Sequence, residues 1–162
     1  MFGIGAAGNK AAVDLVNMGV VNTQCVTLIN TNDEDILVEH DIQKIKLEIQ
    51  FQDSAENYNV GKAAMLNYLV EESKATNLYN PIPNDIDFVT IVTSSTDVTG
   101  SGASLMLAGY ISDVLEIPVH LFAFQNGQIN NEFMKNLIFL DSVTIHIIQN
   151  NRFIGELINI KV

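Results

Sequence analysis

Two short stretches carry the residues best suited to chemistry. Gly3-Ile4-Gly5-Ala6-Ala7-Gly8-Asn9 opens the chain, and Thr96-Asp97-Val98-Thr99-Gly100-Ser101-Gly102 follows the apolar run Phe88-Val89-Thr90-Ile91-Val92-Thr93. Each leads into apolar residues at helical spacing. A strand that turns through small residues into a helix presents unpaired backbone N–H groups and the positive end of the helix dipole, and both favour an anion. Glycine lets the backbone come close to such a ligand. Two such ends meeting at one place would grip one phosphorylated ligand. Residues 3–8 also spell G-x-G-x-x-G, the dinucleotide-binding pattern, with Asn30 or Asp33 near the position of a ribose-binding acid. Taken singly, that pattern fits equally well with glycines that only let a helix pack tightly on a strand. Thr99–Gly102 alone fits a capped helix start.

Other reactive side chains fit less demanding roles. His40, His120 and His146 are scattered, and the last two lie in apolar strands, so they read as core or sheet-edge histidines and no metal site is assigned. Asp33-Glu34-Asp35 with Glu39 and Asp41 reads as a solvated acidic face, with a weak divalent-ion site as the alternative. Ser94, Ser95 and Ser101 have no histidine at motif spacing and no G-x-S-x-G elbow. Lys10 follows Asn9, but G-x-x-x-x-G-K-[ST] is absent, so it reads as an exposed helix lysine. No catalytic residue is assigned.

The elements that must position these stretches alternate along the chain. A strand at Gly3-Ile4 precedes a helix carrying Ala11, Ala12, Leu15, Val16 and Met18. Strands follow at Cys25–Ile29 and, with half-exposed alternation, at Lys44–Phe51. A helix spans Val60–Lys74, closed by Asn80-Pro81-Ile82-Pro83-Asn84. After the strand Phe88–Thr93 come a helix Ala103–Leu115, a strand Val119–Phe124, a helix near Asn131–Leu140 and a strand Val143–Ile148. Near-continuous apolar strands separated by helices predict an α/β fold, three layers deep, with a mostly parallel sheet and helices on both faces. Right-handed crossovers follow. In such sheets the ligand lies beyond the carboxyl ends of the strands. Residues 5–9, Asn30-Thr31-Asn32-Asp33 and 96–102 all fall at that edge.

Composition narrows the partners. The chain has 162 residues, 48% of them apolar, which suits one domain with a sizeable core. A formal charge of −11, from 19 acidic and 8 basic side chains, opposes binding to nucleic acid and to anionic membranes. One cysteine, Cys25, allows no internal disulfide and no cysteine metal cluster. No apolar stretch reaches the ~18–20 residues of a membrane span and no signal peptide is evident, so a cytoplasmic location is expected.

Together, the segments resemble the nucleotide-binding domain of the tubulin and FtsZ family of GTPases. Gly5-Ala6-Ala7-Gly8-Asn9 looks like the family's first glycine-rich loop, and Asn30-Thr31-Asn32 resembles its Asn-Thr-Asp. Asn59-Val60-Gly61-Lys62-Ala63-Ala64 looks like Glu-Val-Gly-Arg-Asn-Ala. Thr96–Gly102 is similar to the signature Gly-Gly-Gly-Thr-Gly-Ser-Gly and keeps its second half. Ile117-Pro118-Val119 follows at the family's distance, and Ile148-Gln149-Asn150-Asn151-Arg152 resembles Ile-Pro-Asn-Asp-Lys. The likeness covers residues 2 to about 152, and the Asn- and Ile-rich composition is similar to that of bacteriophage tubulin-like proteins.

The resemblance implies a guanine-nucleotide-binding, self-assembling protein. Gly5, Ala6, Ala7, Gly8, Thr99, Gly100, Ser101 and Gly102 would hold the phosphates of GTP or GDP. Asn9 and Asn30 would approach the ribose, Asn32 would belong to the same nucleotide site, and Glu132 could meet a ribose hydroxyl. Residues 1–162 would form one nucleotide-binding domain without the family's central helix and second domain. Because the family completes hydrolysis with residues from the next subunit, GTP turnover by the isolated chain should be slow or absent.

Departures from the pattern leave two alternatives. Thr96-Asp97-Val98 replaces three glycines, and Asp97 could repel a phosphate, coordinate a magnesium ion or turn outward. Asn32 replaces the family's Asp, and the loop Gln52–Asn59 is shorter and lacks glycines. A tubulin-like structural or assembly protein without nucleotide is therefore one alternative, and a dinucleotide-binding oxidoreductase is the other. If the turn at 99–102 cradles phosphate, Gly100→Val is expected to abolish nucleotide binding and leave the fold intact.

Overall fold

A computed structural model describes residues 1–32, 41–49, 57–74, 85–125 and 131–149. In chain order the elements are β1 (Phe2–Ile4), α1 (Gly5–Asn17), β2 (Thr27–Asn30), β3 (Gln43–Lys46), α2 (Asn57–Lys74), β4 (Val89–Ser94), α3 (Val98–Gly109), β5 (Val119–Gln125), α4 (Asn131–Leu137) and β6 (Val143–Gln149). The six strands form one sheet in the order β3-β2-β1-β4-β5-β6, and every neighbouring pair is parallel. The α/β class and parallel sheet expected from the sequence are those observed.

The sheet alternates its buried side chains between two helical layers. Phe2, Ile4, Ile29, Ile91, Leu121 and Ala123 join one core with residues of α2, α3 and α4. Leu28, Val92 and Phe122 face the other way, toward Ala11, Ala12 and Leu15 of α1. From β1 the chain moves one way across the sheet through α1, and from β3, β4 and β5 it moves the other way. Among the described residues, crossovers of a single hand then put α1 on one face and α2, α3 and α4 on the other. Each large apolar side chain sealed in this way contributes ~1.5–3 kcal/mol, and Ile4, Ile91 and Leu121 are wholly buried. β3 is an edge strand and keeps the expected alternation, with only Ile45 of its four residues buried.

Several boundaries differ from the sequence expectation. Residues 5–9 are the first turns of α1 rather than a loop ahead of it, because Gly5, at φ +75°, turns the chain from extended Ile4 straight into the helix. Thr99–Gly102 likewise lies inside α3, which begins at Val98 because Asp97 caps it. The far end of that helix widens into a π turn at Tyr110–Val114. Cys25 belongs to an exposed 3-10 turn, Thr23–Cys25, that Asn22 caps, so β2 starts later, at Thr27. β3 ends at Lys46, short of the expected Phe51. The acidic cluster at Asp33–Glu39, most of the Gln52–Asn59 loop, Asn80–Asn84 and Asn150-Asn151-Arg152 lie outside the described residues.

His120 and His146 occupy neighbouring strands, as expected of sheet histidines. Their ring nitrogens Nδ1 and Nε2 are 3.4 Å apart, and His146 stacks on Phe122 with ring centroids 4.3 Å apart.

Candidate functional site: a cradle of two helix N-termini

The strand order reverses direction between β1 and β4, and that is where a ligand crevice opens in a sheet of this kind. The turns leaving those two strands meet there. A Cβ added to Gly5 would lie 3.0 Å from the amide nitrogen of Gly100 and would overlap the Asp97 carboxylate. Glycine at position 5 therefore serves both the left-handed turn and the close approach of α1 to α3.

Three further contacts tie the edge together. Thr93 Oγ1, at the end of β4, donates to the carbonyl of Ile4 at the end of β1, 3.3 Å away. Thr31 Oγ1 and Thr99 Oγ1 are 2.8 Å apart, joining the turn after β2 to the first turn of α3. Leu47 N donates to the carbonyl of Asn30 at 2.8 Å. The turns after β1, β2 and β4 thus converge on one edge, as their positions in the sequence imply.

The two helix ends are dressed differently. α1 has no side chain capping its first turn, so its leading amides are left for another acceptor. α3 is capped by Asp97, whose Oδ1 accepts from Thr99 N at 3.1 Å. The other carboxylate oxygen, Oδ2, is sealed from solvent without a hydrogen-bond partner, and so are the hydroxyls of Ser95, Ser101 and Ser104. Buried polar atoms are normally satisfied. Amides and hydroxyls of this kind suit a phosphate; the Asp97 carboxylate does not, since it brings negative charge to the same place.

The residues singled out in the sequence have distinct places. Gly5, Ala6, Ala7 and Gly8 form the first turn of α1, and Thr99, Gly100, Ser101 and Gly102 follow Val98 within the first two turns of α3. Gly8 has a packing duty, since its Cβ would strike the carbonyl of Val92, and so does Gly3, 2.8 Å from the carbonyl of Gly8 by the same construction. Asn9 is 1% exposed. Its carboxamide takes both backbone groups of Ile29, accepting from N and donating to O at 3.2 Å each. It does so beside the register pair Ile4–Ile29, where β1 ends. Asn30 is buried and accepts from Thr31 N at 2.8 Å, whereas Asn32 is exposed. Glu132 stands in the first turn of α4, 2.7 Å from Lys135 Nζ. Lys10 is exposed and pairs with Asp14 at 2.9 Å, as expected of a surface lysine.

Gly100 corrects one expectation. Its Cβ would lie 2.5 Å from Thr93 Oγ1 and 3.0 Å from the carbonyl of Ile4. Valine there would push β4, β1 and α3 apart, so it would disturb the fold as well as any ligand. Sequence reasoning also missed Thr31 and Thr93. Each binds a partner more than sixty positions away, which no local pattern encodes.

Among the described residues, no group of three or more His, Cys, Asp or Glu side chains is placed to hold a metal ion, and no helix is long and apolar enough to cross a membrane. An apolar groove of about 510 Å³ runs between α2 and α3, lined by Leu66, Leu69, Met106, Tyr110 and Phe139 among others. None of the sequence-predicted site residues lines it.

A parallel sheet in the order 3-2-1-4-5-6, with glycine turns where the order reverses, is the doubly wound α/β architecture. More narrowly, the chain has the tubulin/FtsZ-like fold. It superposes on CetZ2 from Haloferax volcanii, solved as a GTPγS-bound protofilament, with a TM-score of 0.71 and 18% identity over 94% of this chain and 49% of that one. CetZ1 from the same organism, solved as a GDP-bound monomer, gives 0.70 and 18% over 98% and 56%. TubZ of Clostridium botulinum phage c-st gives 0.64 and 13% over 95% and 53%. The chain spans about half the length of these proteins. No protein-family model and no curated protein matches the sequence.

Proposed function

We propose that this chain is a single guanine-nucleotide-binding domain of tubulin type that self-associates. The observation that carries the reading is the meeting of Gly5 with the amide of Gly100 where the sheet order reverses, with α1 uncapped by any side chain. The phosphates of GDP or GTP would be held by the leading amides of α1 (Gly5, Ala6, Ala7) and α3 (Thr99, Gly100) and by the Ser101 hydroxyl, while Gly8 and Gly102 would keep the backbone slim beside them and Ser101 N stays bonded to the Asp97 carbonyl. Asn30, Asn32 and Glu132 would serve the nucleoside. Asn9, already committed to Ile29, would act by fixing α1 against β2. Two solved relatives of the fold carry GTPγS and GDP, and one of them is a protofilament. Val114, Ile138 and Phe139, apolar and at least 60% exposed, support association.

Hydrolysis requires an in-line water, a residue that orients it and stabilisation of charge. The cradle supplies amides and hydroxyls, so the isolated chain should bind GTP and turn it over slowly or not at all. A second reading is an assembly protein that uses no nucleotide, favoured by the Asp97 carboxylate inside the cradle. Isothermal titration with GTP, GDP, ATP and NAD separates the two. Guanine-nucleotide binding supports the first; a folded chain that binds none of the four supports the second; preference for NAD would overturn both. Pelleting with and without GTP then tests assembly.

A further inference from the structure

We infer that the Asp97 side chain is the resident anion of the cradle, standing where a ligand phosphate would stand, so that nucleotide enters only after this carboxylate swings out. The inference rests on the nucleotide-binding reading and adds a gate to it. Three observations carry it. Oδ2 occupies the space beside the Gly5 backbone so closely that a Cβ on Gly5 would overlap it, and that same point is 3.0 Å from the Gly100 amide nitrogen. Oδ2 is sealed from water and has no hydrogen-bond partner of its own. The α1 end beside it has no capping side chain and no acidic residue in its first turn.

Physical chemistry explains why a carboxylate settles there. Two helix N-termini at one point make a site for negative charge, and Oδ1 is already anchored by capping Thr99 N at 3.1 Å. The Oδ2 oxygen completes no hydrogen bond, so its position is held by the field of the helix ends and by the cap. A phosphate, with more charge and more acceptor oxygens, could accept from the leading amides that Oδ2 leaves unused. The carboxylate is therefore displaceable, at the cost of the cap. If the inward position is filled about nine times in ten, apparent nucleotide affinity falls about tenfold relative to an open cradle.

The closing experiment compares wild type with Asp97→Gly and Asp97→Asn, using GDP and GTPγS as probes in stopped-flow binding and isothermal titration, with thermal melts to establish folding. Glycine removes the carboxylate and caps a helix nearly as well as aspartate. Asparagine keeps the cap and the shape but not the charge. Asp97→Gly should tighten both nucleotides about tenfold or more and speed association, and Asp97→Asn should fall between it and wild type. Should Asp97→Gly fail to fold, Asp97→Asn carries the test alone, with tighter binding than wild type as the required result. Wild type binding as tightly as the folded variants would sink the gate and leave the nucleotide reading standing. Weaker binding by both variants in the presence of magnesium would also overturn the gate, by making Asp97 a ligand to the ion. If neither wild type nor the folded variants bind at millimolar nucleotide, both the gate and the nucleotide reading fail.

Discussion

Gly8→Ala adds one methyl group where α1 rests on the middle of the sheet. The new carbon would overlap the carbonyl oxygen of Val92 and lie 3.1 Å from Thr93 Cα. Both are backbone atoms of β4, held on either side by β1 and β5, so neither can turn aside as a side chain would. α1 must lift by about 1 Å or β4 must bend. Replacing glycine by alanine inside a helix ordinarily gains about 1 kcal/mol, whereas overpacking costs ~1–3 kcal/mol and occasionally more. With backbone against backbone the upper end applies, leaving a net loss of about 2 kcal/mol. For a chain of this length that lowers Tm by about 4–8 °C. Gly19→Ala supplies the contrast. Gly19 has φ +69° but nothing within 4 Å of its missing Cβ, so alanine there meets only backbone strain of about 1 kcal/mol. Urea unfolding followed by circular dichroism measures both variants through the midpoint at constant slope. A Gly8→Ala protein as stable as wild type would refute the close approach, and with it the placement of the first turn of α1 beside β4.

Three other outcomes are expected. Asn9→Ala leaves the N–H and C=O of Ile29 unpaired in the core and should cost about 2–4 kcal/mol; a loss below about 1 kcal/mol in urea unfolding would contradict the bridging role. Ser101→Ala removes a buried hydroxyl that has no partner, so stability without ligand should stay level or rise by about 1 kcal/mol, while GDP affinity drops in titration; lower stability with unchanged affinity would reverse the assignment. Burial, followed by the nearby Glu72 charge, raises the Tyr68 hydroxyl above its ordinary pKa of 10.0. The stability it supports is complete below about pH 10 and is lost as pH climbs through the higher folded value. Tyr68→Phe should flatten the alkaline fall in stability, and tyrosinate absorbance should show one tyrosine ionising late; an unaltered alkaline profile would contradict the burial of this hydroxyl.

The sheet could be read from the sequence because parallel strands buried on both faces leave near-continuous apolar runs. Val89–Ser94, rich in Val, Ile and Thr, and Val119–Gln125, rich in Leu, Phe and Ala, are of that kind. Their order along the chain then fixed which turns reach the carboxyl edge. Helix starts were harder. The start of α1 depends on a left-handed turn at Gly5, which no apolar spacing reveals. The start of α3 is signalled by Asp97, two residues ahead of the amide it caps, although the same residue also stands as a departure from a glycine signature. Gly8 and Gly100 fit a phosphate loop by type, yet each also lets backbones or side chains touch, and sequence alone does not separate those duties. The Asn9–Ile29 and Thr31–Thr99 pairs depend on strand register and loop convergence, which exist only once the chain has folded.

Nuclear magnetic resonance of backbone amides, recorded while the purified chain is titrated with GDP, tests most directly whether the two helix ends grip one ligand. Shifts should concentrate at Gly5–Asn9, Asn30–Asn32 and Thr99–Gly102 and saturate together with a single dissociation constant. A folded chain whose amides in these three segments stay unmoved at millimolar GDP, or move with unrelated constants, would contradict the shared cradle.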